Sequence, residues 1–207
     1  MLNQQEKKAH NINLVTPTMY VYQIIEAIKI ARKKGLSIPI IYNTNGYEKL
    51  ETIKMLEGYV DVYLPDLKYY ADEIAQKYSK ANHYFEIATQ AIQEMNKQVG
   101  EPVFDENGMI QKGVIIRHLV LPNHMQNTKH ILKWIKQNMP EGTYISLMAQ
   151  YFPTYQAKGE PLLNRKLTKK EYQEIEKYFY TLNFENGYMQ ELGEHEEEYV
   201  PNFDFSE

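Results

Sequence analysis

The sequence predicts an α/β protein built on a parallel sheet, because β-branched apolar runs alternate along it with segments of helical periodicity. Five of these runs lead directly into a polar cluster. The five junctions are residues 12–18, 40–46, 62–68, 114–118 and 144–150. Parallel strands end at one shared edge of their sheet, and side chains at that edge form the site in such folds. The alternation predicts right-handed crossovers, in either an open doubly wound sheet or a segment of a barrel.

Helical patterns separate the predicted strands. They cover residues 21–31, 47–56, 84–99, 127–138 and 172–179. Gly35 and Gly100 follow the first and third of these segments, where a left-handed helix end favours glycine. Asn127 and Thr128 are expected to cap the fourth helix, and Thr168 with Glu171 forms a capping-box pattern before the last.

Two segments depart from this alternation. Residues 102–112 contain Asp-Glu-Asn-Gly between two short apolar pairs, which predicts a hairpin excursion. Beyond Gly187 the chain becomes acidic, with five glutamates between positions 191 and 198, a pattern typical of a solvated tail. We therefore expect one domain over residues 1–183 and an acidic C-terminal extension over residues 184–207.

The composition limits the function. A chain of 207 residues with 43% hydrophobic residues is long enough for one substantial core. Its net charge of -4 offers no basic surface for nucleic acid. Residues 1–10 lack the apolar core of a signal peptide, and no run of about 18 apolar residues could span a membrane. We expect a cytoplasmic protein with no nucleic-acid or membrane partner. The absence of cysteine excludes thiolate nucleophiles and thiolate metal ligands from this sequence.

The junction after the second predicted strand carries Asn43, Thr44 and Asn45, followed by Gly46. Two amides and a hydroxyl at a strand end form either a turn with a helix cap or a ligand site. The glycine permits a tight turn or the close approach of a ligand.

The next junction places Asp66 and Lys68 on the same side of a strand, because strand side chains alternate with a period of two. They form either a structural ion pair or a site in which Lys68 holds a carboxylate and Asp66 orients an amine or a cation. Arg117 and His118 must point to opposite faces, so at most one of them faces the same pocket.

Other chemistries find less support. His118, His124 and His130 are six residues apart, which matches neither a helical pair nor the usual zinc spacing, so we expect no histidine metal site. Neither a nucleophile elbow nor a glycine-rich phosphate loop occurs. Lys68 at a barrel strand end could instead form a Schiff base, which makes a lysine-dependent, aldolase-like enzyme the alternative.

Five stretches resemble radical S-adenosylmethionine (SAM) proteins related to the activating enzymes of pyruvate formate-lyase. They are HNINLVTPT at 10–18, IYNTNGY at 41–47, VDVYLPDLKY at 60–69, RHLVLP at 117–122 and SLMAQY at 146–151. The resemblance extends over residues 10–190. It implies a parallel partial (β/α)6 barrel in which a [4Fe-4S] cluster binds SAM and cleaves it to a 5'-deoxyadenosyl radical that abstracts hydrogen.

The resemblance also implies roles for individual side chains. Asn43, Thr44 and Asn45 match the motif that lines the methionine part of SAM, and Lys68 matches the contact to its carboxylate. Thr16 stands where many relatives carry a Gly-Gly-Glu element, from which this sequence departs. The full SAM-binding set implied is Thr16, Asn43, Thr44, Asn45, Asp66, Lys68, Arg117 and Gln150.

The cluster itself has no ligands here. Complete relatives carry three cysteines in a loop after their first strand. The first strand of this chain matches the family's second, so the resemblance implies a barrel without its first strand, an exposed strand edge and no catalytic residue of its own. The partners implied are a protein or peptide substrate of the glycyl-radical type and a separate N-terminal fragment. A remnant that binds SAM without catalysis is the alternative.

Overall fold

The computed structural model describes residues 1–190, and the predicted glutamate-rich run from Glu191 onward lies outside them. Within these 190 residues, seven strands form one sheet. They are β1 (Ile12–Val15), β2 (Ile40–Thr44), β3 (Val62–Pro65), β4 (Val103–Phe104), β5 (Ile110–Leu119), β6 (Tyr144–Met148) and β7 (Gly187–Met189). The helices are α1 (Leu2–Glu6), α2 (Val21–Lys33), α3 (Leu50–Met55), α4 (Asp72–Ser79), α5 (Tyr84–Val99), α6 (Met125–Asn138) and α7 (Lys169–Thr181). None of the helices in residues 1–190 is long and apolar enough to cross a membrane.

The sheet is parallel and open. Its strands follow the order β1, β2, β3, β5, β6, β7, and every pair along this path is parallel. Strand β1 forms one edge of the sheet and β7 the other. The predicted parallel α/β fold, a barrel segment that does not close, is therefore confirmed. The predicted boundary at residue 183 falls before β7, which lies within the sheet.

The predicted hairpin is also present. Strand β4 pairs antiparallel with the start of β5, and the carboxylate of Asp105 accepts bonds of 2.9 Å from the amides of Asn107 and Met109 in the turn. Strand β5 leaves the hairpin at Gly113, whose φ is +129°. A Cβ atom there would lie 2.7 Å from the Cα of Pro102, so the two chain segments pack too closely for another residue.

The two faces of the sheet differ. Leu14 pairs with Tyr42, and Tyr42 pairs with Tyr63; all three belong to the core on the face that the helices cover. Alternation of side chains places the neighbouring residues on the other side, which we call the inner face. The inner face carries Val15, Asn43, Leu64, Asp66, Arg117 and Ser146.

The helical patterns predicted most of the helices. Helix α2 buries Val21, Ile25 and Ile28, and α7 begins with the predicted capping box of Thr168 and Glu171. The predicted cap of α6 was wrong, because the helix begins at Met125 with His124 as its N-cap. Asn127 and Thr128 lie inside α6, where their buried side chains bond to neighbouring elements.

Candidate functional site

A cavity of about 370 Å³ opens where β3, β5 and β6 end, a volume within the range of small-molecule sites. Polar side chains line one part of it and apolar or tyrosine side chains the rest. The polar lining residues are Asp66, Lys68, Arg117 and Gln150, and the others are Tyr69, Tyr78, Leu119, Leu121, Met148, Tyr151, Ala157 and Leu163.

Asp66 lies at the centre of the polar part. Its Oδ1 is 2.6 Å from Nη2 of Arg117, and its Oδ2 is 3.3 Å from Nζ of Lys68. The contact with Arg117 is an ion pair by distance, although its angle lies outside hydrogen-bond geometry. The backbone creates this cluster, because Asp66 pairs with Arg117 across β3 and β5, and Lys68 follows two residues later on the same side.

The cluster carries an excess of positive charge. Two cations, Lys68 and Arg117, face one carboxylate, and no other charged residue of the described chain lines the cavity. The side chain of Lys68 is 39% exposed, so it is accessible to a ligand. The Nε of Arg117 is buried, and within residues 1–190 it has no hydrogen-bond partner. The side chain of Arg117 as a whole is 28% exposed, so the cavity presents two accessible cations and one carboxylate, which favours an anionic ligand such as a carboxylate.

The rest of the cavity wall comes from α4 and from the segment after β6. Tyr151 donates a hydrogen bond of 3.0 Å to the carbonyl of Leu163. Lys77 on α4 forms an ion pair of 2.7 Å with Glu160, which links the two segments beside the cavity.

Tyr78 carries a polar group into this wall. Its hydroxyl lies 2.9 Å from Nε2 of His124. Burial, with a smaller contribution from Lys77, lowers the pKa of His124, so the ring is neutral near pH 7.

Gln150 at the end of β6 is held from the neighbouring strand. Its Oε1 accepts a bond of 3.0 Å from the amide of Gln190, whose own Oε1 accepts from the backbone of Ala149 at 3.3 Å. Gln190 follows β7, a strand that the sequence patterns did not indicate.

The other four predicted site residues do not line the cavity. Asn43 lies on the inner face, two strands away from Arg117. The side-chain oxygen of Asn45 accepts a hydrogen bond of 2.9 Å from the backbone amide of Tyr47. Asn45 therefore takes part in a turn, which is one of the two alternatives that the sequence predicted for this segment. Thr16 is exposed at the end of β1, with a φ of +50°.

Thr44 instead belongs to a buried cluster around Glu48 on the helix-covered side. Glu48 is 1% exposed, and its Oε1 accepts hydrogen bonds from Thr44 and, at 2.6 Å, from Thr18. The hydroxyl of Tyr42 lies 3.5 Å from the same oxygen. The sequence patterns missed this carboxylate, although the period of two already places Thr44 opposite Asn43.

His118 faces away from the cavity, as the alternation predicted for one member of the Arg117–His118 pair. Its Nδ1 donates to the carbonyl of Leu67 at 2.6 Å, and its Nε2 accepts from Thr128 at 2.9 Å. Complete burial lowers the pKa of His118 to about 4. Within residues 1–190, no three histidine or carboxylate side chains form a group that could hold a metal ion.

The chain is similar in sequence to a known protein. No protein-family model matches the chain. It is 34% identical over 180 residues to an uncharacterised protein of Methanocaldococcus jannaschii, a match that covers 86% of this chain and 47% of the relative. The chain thus spans about half the length of that relative.

A solved structure matches the architecture. It is a domain of a pyruvate-formate lyase-activating enzyme from Bacteroides vulgatus, which superposes with a TM-score of 0.61 over 87% of this chain and 98% of that domain. The two sequences are 12% identical, so the likeness establishes a shared fold. The chain is therefore a parallel α/β protein with the fold of an activating-enzyme domain.

Proposed function

We propose that this chain is a radical SAM protein related to the pyruvate formate-lyase activating enzymes, and that its cavity binds SAM. The observation that carries the proposal is the cluster of Asp66, Lys68 and Arg117 at the ends of two parallel strands. The shared fold and the motif resemblance support the same assignment.

The chemistry of the lining fits the amino-acid end of SAM. The ligand's α-carboxylate would be held by Lys68 and by the guanidinium group of Arg117, and its α-ammonium by Asp66. Gln150 would supply a further polar contact, and the tyrosine and aliphatic lining would cover the less polar part of the ligand.

A [4Fe-4S] cluster does not fit the residues present. The sequence contains no cysteine, and the described residues contain no alternative group of three metal-binding side chains. Reductive cleavage of SAM therefore forms no part of the function proposed for these 207 residues. A protein or peptide substrate, and a separate polypeptide that contributes the cysteines, are further proposals that rest on the resemblance.

The lysine-dependent alternative is less well supported. Lys68 is accessible to water and paired with Asp66, whereas a Schiff-base lysine requires a pocket that disfavours its charge. Borohydride trapping of a carbonyl adduct that is lost in Lys68→Ala would favour that alternative.

Calorimetric titration with SAM, S-adenosylhomocysteine and methylthioadenosine tests the proposal. The first two ligands carry the amino-acid group and the third lacks it. We expect SAM and S-adenosylhomocysteine to bind at least about tenfold more tightly than methylthioadenosine, because a charge-assisted bond contributes more than 1 kcal/mol, as a rough figure. No binding of SAM below about 1 mM would refute the proposed function.

Two substitutions assign the binding to the cavity. Lys68→Met is expected to weaken the binding of SAM and S-adenosylhomocysteine and to leave methylthioadenosine unaffected. Lys54→Met changes a lysine in the last turn of α3, away from the cavity lining, and serves as the matched control. Equal affinities in the two variants would place the ligand elsewhere.

A further inference from the structure

We propose that Tyr84 on α5 is a positioning residue for the cavity, and that its hydroxyl fixes Asp66 and Lys68 in the places where they hold the ligand. The inference rests on the proposed binding of the amino-acid group of SAM. It concerns a side chain that does not line the cavity and that no sequence motif indicated.

One hydroxyl joins the ends of two strands. The Oη of Tyr84 lies 3.0 Å from the carbonyl oxygen of Asn45, beyond β2, and 3.0 Å from that of Asp66, beyond β3. It also accepts a bond of 3.0 Å from the backbone amide of Lys68. The single hydroxyl proton is shared between the two carbonyls, and a lone pair receives the amide.

These hydrogen bonds hold the backbone in place beyond the end of β3, where pairing with neighbouring strands stops. The amide of Asp66 still bonds to the carbonyl of Thr44, and the amide of Leu67 bonds to that of Arg117. At Lys68 the backbone instead bonds to two side chains, Tyr84 at its amide and Asn127 at its carbonyl, the latter at 2.9 Å.

The ring of Tyr84 is held firmly. It is 2% exposed, stacks on Tyr47 with a centroid distance of 5.9 Å, and meets Tyr69 edge-on at 5.3 Å. Gly46 lies directly against this junction, because a Cβ there would collide with the carbonyl oxygen of Asp66 and lie 3.4 Å from the tyrosine hydroxyl. Burial also raises the pKa of Tyr84 above its usual value, so the hydroxyl remains a donor at every pH used for binding.

Loss of this hydroxyl should weaken only those contacts that bind the amino-acid group of the ligand. In Tyr84→Phe, the amide of Lys68 and the carbonyls of Asn45 and Asp66 lose their common partner, and the segment relaxes. Asp66 and Lys68 then lose their positions around the amino-acid group. The lining from β5 and β6 is unchanged, so contacts to the remainder of the ligand persist.

The test compares Tyr84→Phe with Tyr63→Phe across the three ligands. Tyr63 is also buried, and its hydroxyl also donates a hydrogen bond, 2.7 Å to Gln98, but it lies on the helix-covered face. We expect Tyr84→Phe to weaken the binding of SAM and S-adenosylhomocysteine about tenfold. This is the effect of losing one hydrogen bond to a buried polar group. Methylthioadenosine should bind the variant as it binds the original chain, and Tyr63→Phe should leave all three affinities unchanged.

The outcomes separate the two proposals. If the original chain does not bind SAM, the proposed function fails first. If it does, unchanged SAM affinity in Tyr84→Phe overturns the positioning role, and an equal loss for all three ligands indicates a merely structural role and overturns it too. Should Tyr84→Phe not fold, replacement of Tyr84 by para-aminophenylalanine, which keeps donors but is a poor acceptor, is measured instead. The same selective loss supports the inference, and its absence refutes it.

Discussion

Asp66 and Arg117 are paired positions of two parallel strands, and their side chains meet at 2.6 Å. Register alone brings them together, although 51 positions separate them in the chain. The side chain of Asp66 is 13% exposed and the side chain of Arg117 is 28% exposed, so water screens the pair only in part. The ion pair is therefore both a structural contact and the centre of the proposed binding site.

Removing one member of this pair should destabilise the fold. Arg117→Met leaves Asp66 with the more exposed Lys68 as its remaining cation, so we expect the free energy of unfolding to fall by about 1–2 kcal/mol, less than for a fully buried pair. Urea denaturation measures this change.

The double change Asp66→Leu with Arg117→Met should recover part of the lost stability, because the one charge that it leaves without a partner, that of Lys68, is exposed to water. Lys29→Met, which breaks an exposed pair with Glu26, is the control and should have no measurable effect. An Arg117→Met variant as stable as that control would show that the pair contributes nothing to the fold.

Glu171 should make the protein sensitive to acid. Hydrogen bonds from Arg165, at 2.7 and 2.8 Å, lower the pKa of Glu171, and the backbone amides of Asn123 and Thr168 lower it further. A carboxyl whose pKa is lower in the folded than in the unfolded chain stabilises the fold above about pH 4.5 and loses that contribution as the pH falls.

Glu171→Gln should therefore lower the free energy of unfolding at pH 7 by about 1–2 kcal/mol, the combined effect of a helix cap and a charge-assisted bond. The difference from the original chain should shrink below pH 4, as measured by urea denaturation across pH. Glu174→Gln, on the same helix and 47% exposed, is the control. A difference that stays constant down to pH 3 would contradict the assignment.

The sequence predicted those parts of the fold that depend on residues close together in the chain. Alternation of side chains placed Asp66 and Lys68 together and separated Arg117 from His118, and helical spacing located α2 and α5. Asn127 and Thr128 were misread as a cap because the same polar side chains serve caps and tertiary bonds equally well. The partners of Asn127, which are the backbone groups of Lys68 and Tyr70, are distant in the chain.

The sequence predicted the site residues that lie at the ends of strands, and it did not predict those that come from helices. Tyr78 lines the cavity from α4, whereas Tyr84 on α5 and Gln190 after β7 hold residues that line it. No periodic pattern in the sequence connects these three positions to the strand ends. Thr44 was assigned to the ligand although the alternation of β2 turns it toward Glu48. The missing information is the packing of helices on the sheet, which depends on contacts distant in sequence.

His118 should contribute a second acid-sensitive step between pH 6.5 and 4. Burial lowers the pKa of His118 to about 4, from an ordinary value of 6.5. In this interval the ring of His118 binds a proton in the unfolded chain but not in the folded chain. The free energy of unfolding therefore falls as the pH falls from 6.5 to 4. The loss amounts to about 3 kcal/mol, given 1.36 kcal/mol per pKa unit.

His118→Gln lacks the titrating ring, so its stability should change less over this interval, even though the variant is less stable at pH 7. His130→Gln, which removes a ring stacked on Tyr70, is the control and should keep the slope of the original chain. Urea denaturation at half-unit pH steps measures both slopes. Parallel curves for the original chain and His118→Gln would show that the buried ring is not the source.

Within residues 1–190 the outer edge of β1 has no partner strand, and we expect this edge to drive self-association. The amides of Ile12 and Thr16 bond toward β2, so by alternation the N–H and C=O groups of Asn13 and Val15 point away from the sheet. Val15 is 66% exposed, and Met19, four residues later in the chain, is 84% exposed. An apolar edge strand with unpaired backbone groups pairs readily with another chain.

Sedimentation velocity over a concentration series should detect this association in the original chain. Val15→Lys places a charge on the edge strand, which natural edge strands use against pairing, and should shift the protein toward the monomer. Ile30→Lys adds the same charge at a 55% exposed position on α2 and should leave the association unchanged. If both lysine variants sediment like the original chain at every concentration, the edge of β1 is not the contact surface.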